Sequence, residues 1–433
     1  MPFETSAMAQ KNIAIVGAGI SGMGAAYELS KNHRTVLFEA EKRLGGHART
    51  RMAGRNADQS VDTGFIVFNY ANYPNLTSLF DELGVKVEKS NMSFGASIDG
   101  GRIEYGLAGL DALFAQRTNF LRPQFLRMCR DIFHFNANAL EASSDPEMTI
   151  GGLIEKLALG PWFRDYYLAP LSGAIWSTPV EKIMDFPARA MIQFFENHAL
   201  LNHTGQHQWY TVSGGSQNYV ERLGTAMHKQ GVDIRLGAAV QAVRRDPMGV
   251  EVKTWSGDWE RFDEIIFATH SDDTLSLIAD PTEAETSTLS AIGYQPNKIV
   301  LHSDTSIMPK SRKVWSSWVY TEDREKPSER IDLTYWMNSL QPWLTKEEFM
   351  VTLNTTRPIR EDLIWDEVTL RHPVYDLKAL AAQKTAAEMN GTNRTWFCGA
   401  WMKHGFHEDG LSSALDVVNA IQSAPENIGV AAE

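Results

Sequence analysis

The first clear hydrophobic pattern in the chain is a short β-branched run over residues 13–16, which predicts a buried strand. Glycines follow at positions 17, 19 and 22, and the small residues after them predict a helix. A second apolar run, Thr35-Val36-Leu37-Phe38, predicts another strand that ends on Glu39. The order of strand, glycine turn, helix and strand is typical of the first half of a doubly wound α/β domain.

Two later parts of the chain repeat this kind of pattern. Residues 213–217 precede a predicted helix, and strands are predicted at 231–236, 249–254 and 264–269. A last buried strand is predicted at 395–400, and the residues after it predict a helix with one apolar face. The residues of that face are Leu411, Ala414, Leu415, Val418 and Ile421.

The remaining sequence reads as two insertions between these pieces. Residues 66–208 are predicted to be largely helical, and residues 275–379 to be mixed, with strands at 298–303, 314–320 and 331–337. We therefore predict an α/β fold with a Rossmann-like dinucleotide-binding domain that is discontinuous in sequence, and a mixed α+β substrate-binding domain formed by the insertions. The first comprises residues 1–65, 209–274 and 380–425, the second 66–208 and 275–379, and residues 426–433 form a flexible tail.

Composition narrows the class of protein. A chain of 433 residues is long enough for two joined domains, and its 43% hydrophobic and 22% charged content is typical of a soluble globular protein. The net charge of −12 argues against a nucleic-acid partner, because no overall basic field would attract phosphates. The two cysteines, Cys129 and Cys398, provide neither a disulfide framework nor a metal-ligand set.

The sequence contains no pattern of a signal peptide or a spanning helix. Residues 1–10 are polar, and an uncharged stretch such as 65–80 is interrupted by Asn and Pro before it reaches the ~18–20 apolar residues of a membrane span. We therefore expect a cytoplasmic protein, with peripheral contact at the inner face of the membrane as a further possibility.

The glycine turn indicates a dinucleotide site. Glycine at 17 allows the tight turn, and the backbone over Ala18, Gly19 and Ser21 is expected to approach a pyrophosphate at the helix N-terminus. Gly22 is expected to let the helix pack closely on the strand. Glu39, with Ala40 beside it, lies where an acidic side chain would bind a ribose hydroxyl.

The segment that follows indicates which dinucleotide binds. Arg43-Leu44-Gly45-Gly46-His47 resembles the Arg-x-Gly-Gly segment of the flavin-dependent amine oxidase and phytoene desaturase superfamily. The resemblance implies a glutathione-reductase-type FAD domain in which the paired glycines pass under the cofactor and the arginine contacts its phosphates. The sequence has no second Gly-x-Gly-x-x-Gly for a nicotinamide cofactor, so FAD is the expected sole cofactor.

The same resemblance implies further cofactor contacts. It places the backbone of Val240 against the adenine, and it places the turn at Gly399 and the start of the last helix against the flavin. That helix start contains Asp409, Gly410, Leu411 and Ser412, of which Asp409 or Ser412 is a candidate cap. Its dipole would stabilise a negative charge on the flavin ring. Ala400 stands where many relatives have an acidic residue.

A second set of motifs resembles one branch of the superfamily, the FAD-binding proteins that accompany, or are fused to, methyltransferases similar to cyclopropane-fatty-acid synthases. The motifs are Leu301-His302-Ser303-Asp304, Trp315-Ser316-Ser317-Trp318, Tyr335-Trp336-Met337-Asn338, His372-Pro373-Val374-Tyr375 and Gly405-Phe406-His407-Glu408-Asp409-Gly410. This branch includes dehydrogenases implicated in furan fatty acid biosynthesis. The resemblance therefore implies a fatty acyl or phospholipid substrate, with such a methyltransferase as a possible partner.

Dehydrogenation of an acyl chain requires a base near the flavin, because a proton leaves together with the hydride. His404, His407 and Glu408 are the first candidates since they precede the helix expected at the ring, and His270 is the second choice. For each of them a purely structural hydrogen bond is the alternative interpretation. No metal site is expected.

Three other functions share these motifs. An amine oxidase would need an aromatic cage and often a lysine near the flavin, for which Lys298 and Lys403 are candidates. An acyl-chain double-bond isomerase would use the same hydride step without net oxidation. A flavin-bound partner subunit of a lipid methyltransferase would perform no redox chemistry.

Residues 121–135 predict an amphipathic helix. Its apolar face would contain Leu121, Phe125, Met128, Cys129, Ile132 and Phe133. Arg127, Arg130 and His134 would lie on the other face, with Arg117 and Arg122 upstream. This pattern fits a helix at a membrane surface with anionic headgroups, and it fits equally a helix packed on the substrate domain with a solvated basic face.

Overall fold

We describe the protein from a computed structural model, which defines residues 9–176, 183–198, 200–201, 207–322 and 331–423. The predicted tail at 426–433 lies outside the described residues. The strands are β1 (Asn12–Val16), β2 (Arg34–Glu39), β3 (Thr50–Ala53), β4 (Gln59–Asp62), β5 (Val67–Phe68), β6 (Val87–Ser90), β7 (Phe94–Ile98), β8 (Ile103–Gly106), β9 (Trp209–Val212), β10 (Asp233–Leu236), β11 (Val240–Asp246), β12 (Gly249–Thr254), β13 (Trp259–Phe262), β14 (Glu264–Phe267), β15 (Gly293–His302), β16 (Trp318–Glu322), β17 (Asp332–Trp336), β18 (Met350–Leu353), β19 (Ile364–Val374) and β20 (Thr395–Phe397).

The α-helices are α1 (Ile20–Leu29), α2 (Pro74–Glu82), α3 (Leu110–Leu113), α4 (Pro123–Ala142), α5 (Ile150–Lys156), α6 (Pro161–Phe163), α7 (Ala169–Trp176), α8 (Ala188–Asn197), α9 (Gln217–Lys229), α10 (Ser271–Leu277), α11 (Glu283–Leu289), α12 (Met337–Leu340), α13 (Leu377–Met389) and α14 (His407–Ser423). Short 3-10 turns connect several of them, among them Arg117–Leu121 before α4 and Ala400–Met402 after β20. Within the described ranges, no helix is both long and apolar enough to cross a bilayer.

A five-stranded parallel sheet holds together three separate stretches of the chain. Its order is β10-β2-β1-β14-β20, so β1 lies at the centre, between a strand that follows it closely and one from much later in the sequence. Such strands read as continuous apolar runs because both faces of a parallel sheet are covered. One face is covered by the cluster that includes α1 and α14, and the other by the cluster that includes β11 and α13. The predicted α/β fold class is confirmed.

A seven-stranded sheet forms the second large layer. Its order is β19-β15-β18-β17-β16-β7-β8, and its pairs are antiparallel except for the parallel pair of β16 with β7. One face of this sheet packs against the largest hydrophobic cluster, which also contains side chains of α4, α5 and α8. The two insertions therefore share one core.

The first insertion is less helical than the sequence suggests. It contains four strands, of which β7 and β8 complete the seven-stranded sheet. All five residues of β7 are buried, but the strand contains glycine, alanine and serine, which lack the β-branched pattern that marks a strand. Gly95 has a packing reason, since a Cβ there would lie 2.4 Å from the carbonyl oxygen of Val314.

Candidate functional site

One large cavity runs between the parallel sheet and the second layer. Its volume is about 1120 Å³, which exceeds the ~300–1,000 Å³ of an ordinary small-molecule site. One end is formed by the glycine turn after β1, the middle by the segments 45–47, 63–65 and 399–400, and the far end by side chains of the two insertions. The cavity is large enough for a dinucleotide together with a second ligand.

The turn after β1 forms the first end of the cavity. Gly17, Ala18, Gly19, Ser21 and Glu39 all line it. Glu39 accepts a hydrogen bond from the backbone N–H of Ala18 at 2.7 Å and one from Glu41 at 2.8 Å, so its carboxylate is fixed at the end of β2. Gly19 precedes the first residue of α1 and provides no side-chain cap. A Cβ at Gly19 would point into open space, because no atom lies within 4 Å of that position.

Gly22 belongs to the packing of the turn and does not line the cavity. A Cβ at this position would lie 1.8 Å from the carbonyl oxygen of Gly17. Gly22 therefore lets α1 approach the turn that follows β1, whereas its predicted contact was with the strand itself. The first residues of α1, Ile20 and Ser21, line the cavity.

The paired glycines form the middle of the cavity wall. Gly45 donates its N–H to the carbonyl of Ala18 at 2.9 Å, and a Cβ on Gly46 would lie 3.0 Å from the Cα of Gly19. Gly45, Gly46 and His47 line the cavity, as predicted for a loop that passes under the cofactor.

Arg43 contacts the backbone of the glycine loop. It does not line the cavity; its guanidinium donates to the carbonyl oxygens of Gly46 at 2.7 Å and Ala48 at 3.1 Å, and its Nε lies 2.8 Å from Glu41. These contacts close the loop on itself. Arg43 thus holds the glycine loop, and its expected phosphate contact stays a prediction.

The third part of the wall comes from the end of β20 and the start of α14. Gly399, Ala400, His404, Gly405 and the first helical residue all line the cavity. The helix begins at His407, earlier than the capping candidates suggest, and the Asp409 carboxylate reaches back to accept the N–H of Phe406 at 2.9 Å. Burial raises the pKa of Asp409. Asp409 thus caps the helix from within its first turn.

Gly410, Leu411 and Ser412 do not line the cavity. A Cβ at Gly410 would lie 2.9 Å from Ser21 Oγ, and a Cβ at Gly24 would lie 2.5 Å from the side chain of Leu411. Ser412 instead accepts a hydrogen bond from Lys403 at 2.5 Å. Gly410 and Leu411 pack α14 against α1. The expected contact of the three residues with the cofactor stays a prediction.

Two further predicted contacts lie outside the cavity wall. Val240 is buried at the start of β11, in the cluster that contains Phe38 and Phe267. Ala40 is exposed beside Glu39. Their assignment to the adenosine half of the cofactor stays a prediction.

Glu408 has a structural role, and its candidacy as a base stays a prediction. It is buried, does not line the cavity, and accepts hydrogen bonds from the N–H groups of Asn75 at 3.0 Å and Leu76 at 2.9 Å, and from the Asn75 amide at 2.7 Å. Asn75 and Leu76 lie in the first turn of α2, which has no side-chain cap of its own. The carboxylate therefore caps α2 and complements its dipole.

His407 lines the cavity but is held by two neighbours. Its Nε2 is hydrogen-bonded to the Tyr219 hydroxyl at 2.6 Å, and its ring stacks on Phe65 with centroids 3.9 Å apart. Burial lowers the pKa of His407 to about 3, so the ring is neutral near pH 7. A base works best when its pKa lies near the working pH, which makes His407 a weak candidate.

His404 and His270 also line the cavity. His404 is exposed, and within the described part of the chain no hydrogen bond holds its ring. His270 stacks on Tyr294 with centroids 4.3 Å apart, and burial lowers its pKa to about 3. Of the predicted bases, His404 therefore has the ring that is most available to a substrate proton.

Two other histidines line the wall, His372 and His198, and neither was predicted as a site residue. His372 accepts a hydrogen bond from the Asn297 amide at 2.8 Å, and its ring lies 5.7 Å from that of His47; His198 follows α8. Burial lowers the pKa of His372 to about 3 and that of His198 to about 4. His372 belongs to a motif that the resemblance singled out, but its position in the cavity depends on the pairing of β19 with β15, for which the local sequence has no signal.

Near His270 lie two carboxylates, of Asp272 and Asp273, which with it form a group of possible metal ligands. Both carboxylates contact the guanidinium of Arg371, each at 2.5 Å. Their charge is already paired with a cation of the same protein.

The far end of the cavity is mainly apolar. Side chains from both insertions line it, and its polar members are few: Asn91, Ser93, Asn136 and His198, with the hydroxyl-bearing Tyr167 and Tyr335. The exposed residues Leu107, Leu110 and Phe133 also line it, so the chamber opens to solvent beside α3 and α4. The apolar lining residues are Met92, Phe94, Leu113, Ile132, Leu171, Ile175, Phe194, Leu200, Ile299, Trp318, Leu340, Val351, Leu353 and Leu370.

The described cavity wall contains no lysine. Lys298 pairs with Glu367 at 3.0 Å and borders a separate small pocket, and Lys403 contacts Ser412 and Asp416. The two lysines that sequence analysis offered for an amine oxidase therefore lie away from the site.

The residues at the first end and in the middle of the cavity fit FAD. The uncapped start of α1 provides backbone N–H groups for a pyrophosphate. The space beside Gly19 is open to the pyrophosphate because glycine has no side chain to fill it. Glu39 provides an acceptor for ribose hydroxyl groups, and the N-terminus of α14 faces the middle of the cavity, where the flavin is expected.

Comparison with known proteins agrees with this fit. A profile of the family described as flavin containing amine oxidoreductase matches residues 20–396. Among curated proteins, protoporphyrinogen oxidase 2 (chloroplastic/mitochondrial) of Arabidopsis thaliana is 38% identical over 85 residues, which is 19% of this chain and 16% of that protein. This match therefore spans less than a fifth of the curated relative's length.

Solved structures resemble the chain over nearly its whole length. A CLA-producing fatty acid isomerase from P. acnes has a TM-score of 0.66 at 14% identity, covering 94% of this chain and 98% of that one. Putrescine oxidase bound to putrescine has a TM-score of 0.68 at 14% identity, covering 96% and 100%. Cyclohexylamine oxidase from Brevibacterium oxydans IH-35A has a TM-score of 0.64 at 12% identity, covering 96% and 100%. At these identities the likeness concerns the fold. With the family match, it establishes that the chain belongs to the flavin-containing amine oxidoreductases and is an FAD-dependent oxidoreductase.

Proposed function

We propose that this oxidoreductase acts on the acyl chain of a methyl-branched or unsaturated fatty acid or phospholipid, which it desaturates. The observation that carries the proposal is the apolar chamber at the far end of the cavity, continuous with the FAD site and open to solvent beside α4. A step of this kind is expected in the formation of methylated furan fatty acids.

The chamber suits a hydrocarbon better than an amine. An acyl chain has no charge that a protein could bind, so its recognition depends on buried area, about 0.8 kcal/mol per methylene. The chamber offers leucine, isoleucine, phenylalanine and tryptophan side chains from two insertions. An amine oxidase often has a lysine near the flavin that holds a water, and the described wall contains no lysine.

Desaturation removes two hydrogens from neighbouring carbons, one as a hydride and one as a proton, while a double bond forms between them. FAD, when bound, supplies the hydride acceptor. The proton needs a base on the wall, and we assign this role first to His404, whose ring lines the cavity. His270 is the second candidate. Phe65 and the Tyr219–His407 pair shape the wall, because stacking and hydrogen bonding fix the His407 ring.

Anaerobic reduction of the bound flavin tests the proposal. The purified flavoprotein is mixed without oxygen with detergent-dispersed phospholipid that carries a methyl-branched unsaturated chain, with the saturated phospholipid as the matched control. Putrescine and cyclohexylamine are added in parallel samples. We expect lasting loss of the oxidised flavin absorbance with the unsaturated lipid alone.

Desaturation requires lasting bleaching by a lipid, and an outcome without it indicates another function. Lasting bleaching by an amine would indicate an amine oxidase. Absence of bleaching with all substrates would leave the role of a flavin-bound partner of a lipid methyltransferase.

An acyl-chain double-bond isomerase is the second candidate function. The same apolar chamber would hold its substrate, and the fatty acid isomerase from P. acnes has the same overall fold. An isomerase returns the hydride to a different carbon, so its flavin would bleach transiently and recover without oxygen. The product would then have the mass of the substrate, whereas a desaturated product is lighter by two hydrogens.

A further inference from the structure

The surface around the cavity mouth is unusually apolar. Thirteen large hydrophobic residues are exposed in the described part of the chain, and seven of them fall between residues 107 and 140. We call these seven residues the mouth patch. They are Leu107, Leu110, Phe120, Leu121, Leu126, Phe133 and Leu140.

Three residues of the mouth patch form a stripe along α4. Leu126, Phe133 and Leu140 follow one another at intervals of seven residues, which places them on one face of the helix, and they are 44%, 59% and 49% exposed. The opposite face of α4 is buried through Phe125, Met128 and similar residues. The helix therefore packs on the core of the substrate domain, which is one of the two interpretations of its sequence. It also presents apolar side chains to solvent.

Helix α3 and the turn before α4 add two more exposed residues to the patch. Leu110 is 76% exposed and Leu121 is 83% exposed. Phe114 stacks on Phe120 with ring centroids 3.9 Å apart, which joins the turn after α3 to the turn before α4. Leu107, Leu110 and Phe133 also line the cavity, so the patch reaches the cavity mouth.

Positive charge lies within the same surface. Arg117, Arg127 and Arg130 have side chains 64%, 58% and 70% exposed, in a chain of net charge −12. Asp111 pairs with Arg117, and the buried Asp131 lies below Arg127 and Arg130. These carboxylates offset part of the charge, so burial of the apolar residues is expected to contribute more to binding than attraction to anions.

We infer that the mouth patch docks on an anionic phospholipid bilayer, with α4 lying in the plane of the interface. Apolar side chains on one face with arginines around them are the pattern of an interfacial helix. A protein partner seated on this surface would cover the cavity mouth, whereas a bilayer would present acyl chains directly to it. That the bilayer supplies the substrate rests on the proposed function. The docking itself does not depend on catalysis.

Vesicle flotation tests the docking without any turnover. The holoprotein is mixed with phosphatidylcholine vesicles that contain or lack phosphatidylglycerol, and the bound fraction is measured. The test variant is Leu121→Ser with Leu126→Ser, neither of which lines the cavity. The matched control is Met248→Ser with Trp255→Ser, which are 75% and 73% exposed on the ribbon formed by β11 to β13.

We expect the test variant to bind vesicles at least ~10-fold more weakly than the parent, because each leucine loses a large part of its apolar burial. The control is expected to bind as the parent does. Arg130→Gln is expected to weaken binding about 5-fold when phosphatidylglycerol is present and to have little effect without it. Leu140→Ser, at the other end of the stripe, repeats the test if the double variant unfolds below the parent temperature.

Equal binding of the parent and of the folded test variants, or no vesicle binding by the parent, would overturn the proposal. If the parent instead forms a dimer that Leu121→Ser dissociates, the patch is a protein interface. Flavin reduction separates this result from the proposed function. With detergent-dispersed lipid, the flavin of the test variant should be reduced at the parental rate. With lipid in vesicles, it should be reduced more slowly than in the parent. If no lipid reduces the flavin while vesicle binding follows the patch, the proposed function fails and the docking stands.

Discussion

Glu39 is fixed before any ligand arrives. Its two carboxylate oxygens accept the N–H groups of Ala18 and Glu41, so the side chain already lies along the turn where the ribose is expected. Preorganisation of this kind lowers the entropic cost of binding, because no side chain has to be ordered by the ligand.

Replacement of Glu39 by Ala should weaken FAD binding by about 1.5–3 kcal/mol, the usual contribution of a hydrogen bond to a charged group. Titration of the apoprotein with FAD measures the change. Glu41→Ala is the matched control, since Glu41 is an exposed carboxylate in the same loop. An FAD affinity of Glu39→Ala equal to that of the control would show that Glu39 does not contact the cofactor.

Glu408 is the clearest case of a residue whose role depends on a distant part of the chain. We expect Glu408→Gln to lower the free energy of unfolding by about 1.5–3 kcal/mol, because the first turn of α2 loses its charged acceptor. Urea denaturation measures this, with the exposed Asp416→Asn on the same helix as control. In the folded protein the rate of flavin reduction should stay near the parental rate; a large loss of that rate with unchanged stability would support Glu408 as a base.

The base can be assigned by three parallel substitutions. We expect His404→Gln to slow lipid-dependent flavin reduction by about 10²-fold or more while FAD stays bound, the usual effect of losing a positioned base. His407→Gln should act mainly on FAD affinity, since its ring is held by Phe65 and Tyr219. If the His404 and His407 variants both react at the parental rate, His270→Gln is the next variant to measure.

At the scale of secondary structure, two helices present their N-termini to the same cavity. α1 and α14 can do so because glycines let them approach closely: Gly24 meets Leu411, and Gly410 meets Ser21. Gly19, by contrast, meets nothing, since it faces the cavity. The sequence does not distinguish these three glycines. In the fold, Gly24 and Gly410 allow close helix packing, whereas Gly19 leaves space in the cavity.

This difference gives a paired prediction. Gly19→Ala should leave the thermal stability of the apoprotein unchanged and weaken FAD binding strongly, because the methyl group occupies the space of the pyrophosphate. Gly410→Val should lower apoprotein stability by about 1–3 kcal/mol, the usual cost of overpacking. Calorimetry of both apoproteins and FAD titration measure the two effects. Equal stability losses in both variants would contradict the assignment.

The elements that the sequence predicted well are those with a strong local signal. β1, β2 and β14 are continuous apolar runs, and α14 has its apolar residues at helical spacing. β7 was missed because it contains small residues whose burial depends on β16, far along the chain. In the same way, the glycine turn and Glu39 could be identified from spacing, whereas the roles of Glu408, Arg43 and His372 depend on contacts that no local pattern records.

At the scale of the whole molecule, the cavity makes the protein sensitive to acid. Burial lowers the pKa of His372 and His407 to about 3, whereas a histidine in the unfolded chain titrates near ~6.5. Below that pH the unfolded chain takes up protons that the folded protein excludes, so the free energy of unfolding falls by ~1.4 kcal/mol per pH unit for each histidine. Asp62 opposes this trend, because burial raises its pKa to about 6 and its folded form gains a proton first.

We therefore expect stability to decrease between about pH 6.5 and pH 4, as measured by urea denaturation of the FAD-saturated protein. His372→Asn should reduce the slope by about one proton, and the exposed His228→Asn should not change it. An unchanged slope in His372→Asn would show that this histidine is protonated in the folded protein.

The parallel sheet also has a consequence for how the protein is made. Its central strand β1 pairs with β14, and β14 pairs with β20. Gly399 and α14, which follow β20 in the chain, complete the middle of the cavity. During synthesis β1 emerges long before β14 and β20, so the first strand must wait with one edge unpaired until most of the sequence has left the ribosome. Contacts of such long sequence separation form slowly. Capture of FAD is then one of the last events of folding, and a nascent chain stalled before β20 would expose an apolar sheet edge to chaperones and proteases.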